Sequence, residues 1–214
     1  MHPSSPSAVQ AETMNLFAVP VIRSALGRGF SGDELQYFQI QLQQPLGSIS
    51  NFSSRNKQVL SAPLMAPIAA ALQASLDHYL KTVFNTSNRV SLKITQSWLT
   101  LTRKGESHHS HVHPNSVVSG VMYINTARED GINFYREQGA NWFELLREQD
   151  TYHNAYRYFI PAQPGDILLF PSDLHHGVRE VVEDVERVSL SFNTFFDGEL
   201  GREDFANALK IAVV

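Results

Sequence analysis

The sequence predicts an α+β, mainly β protein, with helices in the N-terminal part packed on one face of an antiparallel sandwich or jelly roll. Three observations carry this. Leu64, Ile68, Leu72, Leu76 and Leu80 recur every fourth residue, the repeat of a helix that covers a sheet. From Val90 onward the apolar period changes to two, which is the period of strands. Those strands follow one another without the strand–helix rhythm of a parallel sheet.

Element by element, residues 1–13 read as a flexible tail, with Met14 as an alternative start, ahead of one domain over 14–214. Asn15 to Val21 is a short extended apolar segment. Ser31-Gly32-Asp33-Glu34 is a capping box, a serine N-cap with glutamate three residues on. The helix it opens points Leu35, Phe38 and Leu42 at the core and ends before Pro45. Gly47 to Asn56 is polar and looped. Pro63 starts the leucine-repeat helix, with Met65, Ala69, Tyr79 and Val83 beside the repeat. This helical part spans about 31–85 and the β core about 90–196. Strands are predicted at Ile94–Thr102, Val117–Asn125, Ile132–Arg136, Asp166–Phe170 and Arg187–Phe196. Between them, Gly139 to Pro164 is rich in aromatics, a lid or a packed insertion, and Asn141 followed by Glu144 caps a short helix. Glu180 to Arg187 is expected to be a solvated hairpin turn.

Composition narrows the function. At 214 residues, 43% hydrophobic and 18% charged, the chain can build a substantial core. A net charge of −4 argues against a broad nucleic-acid surface, which wants a basic face. Without cysteine there are no disulfides, thiolate ligands or thiol nucleophile, which suits a reducing compartment. No apolar run approaches the roughly 18 residues that cross a bilayer, and the first residues lack a signal-peptide pattern, so a cytoplasmic protein is expected. Phosphate loops and a G-x-S-x-G elbow are both absent.

Histidine is where the chemistry concentrates. His111-Val112-His113 puts two imidazoles on one side of an extended segment, and His176 can supply a third from a distant strand. Three neutral imidazoles hold a divalent transition metal and leave positions open. Spacing alone leaves the register undecided, because His109-Ser110-His111 is equivalent and His175 competes with His176. In Arg187 to Asn193 one face is Arg187, Ser189, Ser191 and Asn193. Such a strand is either an edge with its polar face in water or the wall of a cavity. In a cavity, the guanidinium would grip the far carboxylate of a dianion.

A set of short motifs runs through this half of the chain. It comprises Trp98, Lys104-Gly105, His111-Val112-His113-Pro114 followed by Ser116, Ser119-Gly120 and Tyr123, then Gly165-Asp166 through Phe170-Pro171-Ser172 to His176, and Glu186-Arg187 through Ser191-Phe192-Asn193. Over roughly residues 96–195 this resembles the 2-oxoglutarate/Fe(II)-dependent oxygenase superfamily, in particular a branch of small bacterial proteins. The resemblance implies a double-stranded β-helix with its cavity between two sheets. It implies Fe(II) on His111, His113 and His176, and 2-oxoglutarate on Arg187 and Tyr123 with Ser189 beside them. It also implies oxidation of a substrate by O2 coupled to conversion of 2-oxoglutarate to succinate and CO2. One departure stands out: His113 occupies the position where most members carry a carboxylate ligand. Two rivals fit the histidines. One is a cupin-like three-histidine protein without co-substrate, either a dioxygenase or a binding module; the other is a zinc hydrolase. Arg187 discriminates against the first, which does not need it, and aerobic Fe(II)-dependent release of CO2 from 2-oxoglutarate would separate all three. The substrate, a small molecule or a peptide, is not readable, nor is the oligomeric state.

Overall fold

In the computed structural model, residues 12–136 and 145–213 are described. The helix expected at Asn141, with Trp142 and Phe143, lies outside them, as does nearly all of the expected tail. In chain order the elements are β1 (Ile22–Ala25), α1 (Gly32–Gln41), β2 (Leu46–Gly47), β3 (Phe52–Ser53), α2 (Ala66–Tyr79), β4 (Val90–Thr102), β5 (His108–His111), β6 (Val118–Asn125), β7 (Gly131–Tyr135), β8 (Arg157–Pro161), β9 (Asp166–Pro171), β10 (His176–Val178), β11 (Arg187–Leu200) and β12 (Leu209–Ile211). One sheet runs β1-β9-β6-β11-β4-β3-β2 with β12 on the end of β11, and a smaller one runs β5-β10-β7-β8. All strand pairs are antiparallel. This is the expected double-stranded β-helix.

Local chemistry sets the helices. Ser31 Oγ accepts from the Glu34 amide and the Glu34 carboxylate accepts from the Ser31 amide, so the capping box is complete. Arg28 grips both Glu34 oxygens, at 2.7 and 2.8 Å. That pair turns Glu34 inward and rotates Leu35, expected in the core, out to 41% exposure. Phe38 is buried and Leu42 packs against the core as expected. In α2 the apolar stripe of Ile68, Leu72 and Leu76 is completely buried. Leu64 is not part of it: it sits on the 3-10 turn Pro63–Met65 before the helix and faces outward, while Met65 takes the buried position.

Strand β11 separates the two interiors. It lies between β6 and β4, so it is a central strand rather than an edge. Leu190 and Phe192 on one face join Leu99, Met122, Ile167 and Leu169 under α2. The opposite face carries Arg187, Ser189 and Ser191 across from Thr102, Thr100 and Trp98 on β4, and faces the smaller sheet. Val121, Tyr123 and Phe170 of the large sheet pack there against Ile132 and Phe134 of the small one. The segment before β11 is a crossover between sheets rather than a hairpin turn, because β10 belongs to one sheet and β11 to the other. It is anchored midway by Val181, 4% exposed and bridged to Lys104. The polar stretch 47–56, expected as a loop, donates the short strand β3 to the edge of β4.

Gly120 on β6 lies under the Phe192 ring, and a Cβ there would come within 2.1 Å of it. Gly120→Ala is therefore expected to overpack the α2 side of the sheet and cost about 1–3 kcal/mol. Denaturant unfolding checks this; an unshifted midpoint would mean the ring has room to move.

Candidate metal and anion site

His111 closes β5, His113 follows it in the next turn, and His176 opens β10 directly opposite His111. Ring centroids are 4.4 Å apart for His111–His176 and 5.0 Å for each of the other two pairs. One ligand nitrogen from each ring lies within 4.8 Å of the others, and His111 Nε2 is 3.1 Å from His113 Nε2. Of the two registers open in the sequence, this is the one that converges. His109 is exposed, and neither it nor His175 belongs to the group.

The far side of each ring explains why the nitrogens meet. His111 Nδ1 donates to the His109 carbonyl at 2.8 Å, His176 Nδ1 to the Leu174 carbonyl at 2.8 Å, and His113 Nδ1 to Asn193 Oδ1 at 2.5 Å. A carbonyl oxygen has no proton to give, so each ring carries its proton on Nδ1 and turns the bare Nε2 inward. Burial is the main cause lowering all three pKa values, His176 to about 3. The rings are thus neutral at pH 7, the form that binds a metal. Behind His113, Asn193 Oδ1 also accepts from Ser119 Oγ, which bonds Ser172 Oγ, which bonds Ser116 Oγ. This chain accounts for the motif serines. Trp98 stacks on His113 from the cavity side, centroids 5.7 Å apart.

The same cavity extends from the imidazoles to Arg187, past Tyr123 and Ser189. Arg187 is 2% exposed. Its Nε donates to Asp130 Oδ1 at 2.8 Å, with Oδ2 2.7 Å from the same nitrogen. Asp130 is in turn held by the Gly131 amide at 2.6 Å. This grip takes one edge of the guanidinium only. Nη1 reaches Ser189 Oγ at a long 3.4 Å, and Nη2 has no partner among the described residues. Two buried hydroxyls nearby are also without partners, those of Tyr123 and Thr102. Thr102 is directly across from Arg187, and Tyr123 directly across from Ser189. Unpaired buried hydroxyls cost stability, and native structures rarely keep them without a ligand to serve. Burial raises the Tyr123 pKa, so its hydroxyl keeps its proton and can donate.

All six residues singled out from the sequence therefore lie along one cavity. Sequence reasoning missed Asp130, which sits in a charged turn that looks solvated, and Thr102, an ordinary strand threonine. Asn193 was legible as a motif letter and as part of the polar face of its strand, but not as the partner of His113.

Comparison with known proteins fits this geometry. Residues 96–193 match the family described as "Putative 2OG-Fe(II) oxygenase". Over that stretch, just under half of the chain, the sequence is similar to 2-oxoglutarate/Fe(II)-dependent oxygenases. No curated protein matches it. Among solved structures it is similar to HygX from Streptomyces hygroscopicus with nickel, 2-oxoglutarate and hygromycin B bound (15% identity, 82% of each chain, TM-score 0.52). It is also similar to SnoN, the non-heme alpha-ketoglutarate-dependent epimerase from nogalamycin biosynthesis (11% identity, 83% of this chain and 78% of the other, TM-score 0.59). A prolyl-4-hydroxylase from Pseudomonas putida shares the fold as well (14% identity, 82% and 92%, TM-score 0.52).

Two outcomes follow. Asn193→Leu, which removes the acceptor behind His113, is expected to weaken metal binding about 10–100-fold, and Asn193→Asp to retain it. Metal titration of the stripped protein decides, and parental affinity in Asn193→Leu would break the link. In metal-free protein His176 titrates only near 3, whereas imidazoles of the unfolded chain titrate near 6.5. The unfolded chain therefore takes up protons first, and stability should decline as pH falls from about 6.5 towards 3. A melting temperature in chelator that is flat between about pH 7 and 5 would contradict this.

Proposed function

We propose that this chain is an Fe(II)- and 2-oxoglutarate-dependent oxygenase in which His111, His113 and His176 hold the iron and Arg187, Tyr123 and Ser189 hold the far carboxylate of 2-oxoglutarate. The observation that carries the reading is the pairing of two ends of one cavity. One end has three inward-facing imidazole nitrogens. The other has a clamped guanidinium beside a buried Tyr123 hydroxyl that no group among the described residues satisfies. When bound, iron and 2-oxoglutarate supply oxidation of a substrate by O2 as the co-substrate goes to succinate and CO2.

The protein's own residues do the rest. Asp130 holds Arg187 by its Nε edge, so that the terminal nitrogens present a fork to a carboxylate. Tyr123 and Thr102 stand ready to donate to the same oxygens. Ile132 and Phe170 exclude water from the walls. A neutral His113 in place of a carboxylate leaves iron its full double charge, which favours a dianionic partner. A three-histidine module without co-substrate, or a zinc hydrolase, would leave the free edge of the Arg187 guanidinium and the Tyr123 hydroxyl without a purpose. Among the described residues no helix is long and apolar enough to cross a membrane. A cytoplasmic setting suits a cysteine-free chain that needs Fe(II).

Release of CO2 from 2-oxoglutarate in air, dependent on added Fe(II), tests the reading, and its absence across a broad substrate screen would count against it. Tyr123→Phe is the sharpest variant. It removes a hydroxyl that folding does not use, so stability should hold or rise, while 2-oxoglutarate affinity falls about tenfold or more for the loss of one bond to a charged group. Unchanged affinity would remove Tyr123 from the site. Arg187→Ala should abolish 2-oxoglutarate binding and also lower stability by about 3–5 kcal/mol, because Asp130 is left buried and unpaired. Stability therefore falls whatever the function of Arg187, and calorimetric 2-oxoglutarate affinity is the deciding measurement. Arg187→Lys should recover only part of it, since a point charge does not reproduce the fork.

A further inference from the structure

The pairing of β5 with β10 contains an irregularity whose effect is chemical. His176 faces His111 and Val178 faces His108, so two steps along β10 match three along β5. In an unbroken strand residues 108 and 111 would point to opposite faces. The extra residue of a bulge reverses the alternation and re-aims a side chain. Here the result is that the His108 and His111 rings stack, centroids 4.3 Å apart and 25° between planes, and both line the cavity. The bulge needs its partner strand to come close. A Cβ on Gly177 would lie 2.8 Å from the His108 carbonyl oxygen, so glycine there is what admits it.

His108 differs from its three neighbours in one respect. Each of the convergent rings is pinned through Nδ1, whereas His108 has no hydrogen-bond partner among the described residues. It also stands outside the group whose nitrogens converge. It lines the same cavity as Arg187 and Tyr123. An imidazole carries at least one N–H donor, and this one belongs to a ring that lines the cavity shared by the metal end and the guanidinium end.

We infer that His108 is a fourth functional imidazole of this cavity, donating a hydrogen bond to a carboxylate oxygen of the bound dianion and taking no part in holding the metal. The inference rests on the oxygenase reading and sharpens it. The bulge, the stacking on His111 and the glycine opposite are the devices that deliver the ring.

The experiment is calorimetric titration of 2-oxoglutarate into nickel-loaded protein, with nickel affinity measured separately, for the parent, His108→Phe and His108→Gln. In His108→Phe the 2-oxoglutarate Kd is expected to rise about tenfold or more, while nickel Kd stays within about threefold. His108→Gln, which keeps a donor, should recover most of the loss. Parental 2-oxoglutarate affinity in His108→Phe would overturn the inference and leave the oxygenase reading intact. Loss of nickel in both variants would overturn it by making His108 part of the metal site or its scaffold. Absence of 2-oxoglutarate binding by the nickel-loaded parent would overturn the inference together with the reading beneath it.

Discussion

Alternation along β11 is the constraint on which the rest depends. A strand sends successive side chains to opposite faces, and this one has different business on each. Leu190 and Phe192 anchor the helical layer, while Arg187, Ser189, Ser191 and Asn193 look into the space between the sheets. Because β11 is flanked on both sides, neither face is free to slip, and a shift of one residue would bury the guanidinium under α2. The anion end and the support for His113 are thus fixed by the same backbone that fixes the core.

Much of this was legible before any coordinates. The leucine repeat identified α2, and period-two segments identified β4, β6, β7, β9 and β11 to within a few residues. What escaped was short, bulged or exposed: β5, β10 and β12 have three or four residues each, too few for a period to register, and β8 is mostly exposed on both faces, so it shows no apolar alternation. Leu35 and Leu64 were misassigned for local reasons, an ion pair that turns α1 and a 3-10 turn that precedes α2. In the site, His111, His113, His176, Arg187 and Tyr123 could be named from motifs. Asp130 and Thr102 could not, because their importance lies in which groups they face across a strand pair. His108 was hidden for a related reason: periodicity puts it on the wrong face, and only the bulge corrects that.

The imidazoles show how little side-chain machinery a candidate metal pocket needs. Two of the three are oriented by backbone carbonyls, that of His109 within β5 and that of Leu174 in the bend before β10, so the backbone itself acts as the outer layer of the site. Only His113, which lies beyond the end of β5, requires a side chain, and Asn193 with its serine chain supplies it. The turn residue that lost strand support is the one that gained a dedicated network.

The charge carried by this interior has a consequence for how it fills. Its imidazoles are uncharged, and its one cation among the described residues, Arg187, is paired with Asp130. The protein's own groups therefore leave the cavity close to neutral. A divalent metal alone would leave an uncompensated +2 in a poorly hydrated space, and a dianion alone an uncompensated −2. Together they sum to zero. Each guest lowers the electrostatic cost of the other, and by thermodynamic reciprocity it does so to the same degree in both directions. Replacing His113 with a carboxylate would break that symmetry by balancing part of the metal charge in advance. On this account the all-imidazole donor set makes the pocket a coincidence detector, held half-open to either guest and closed in charge only by both.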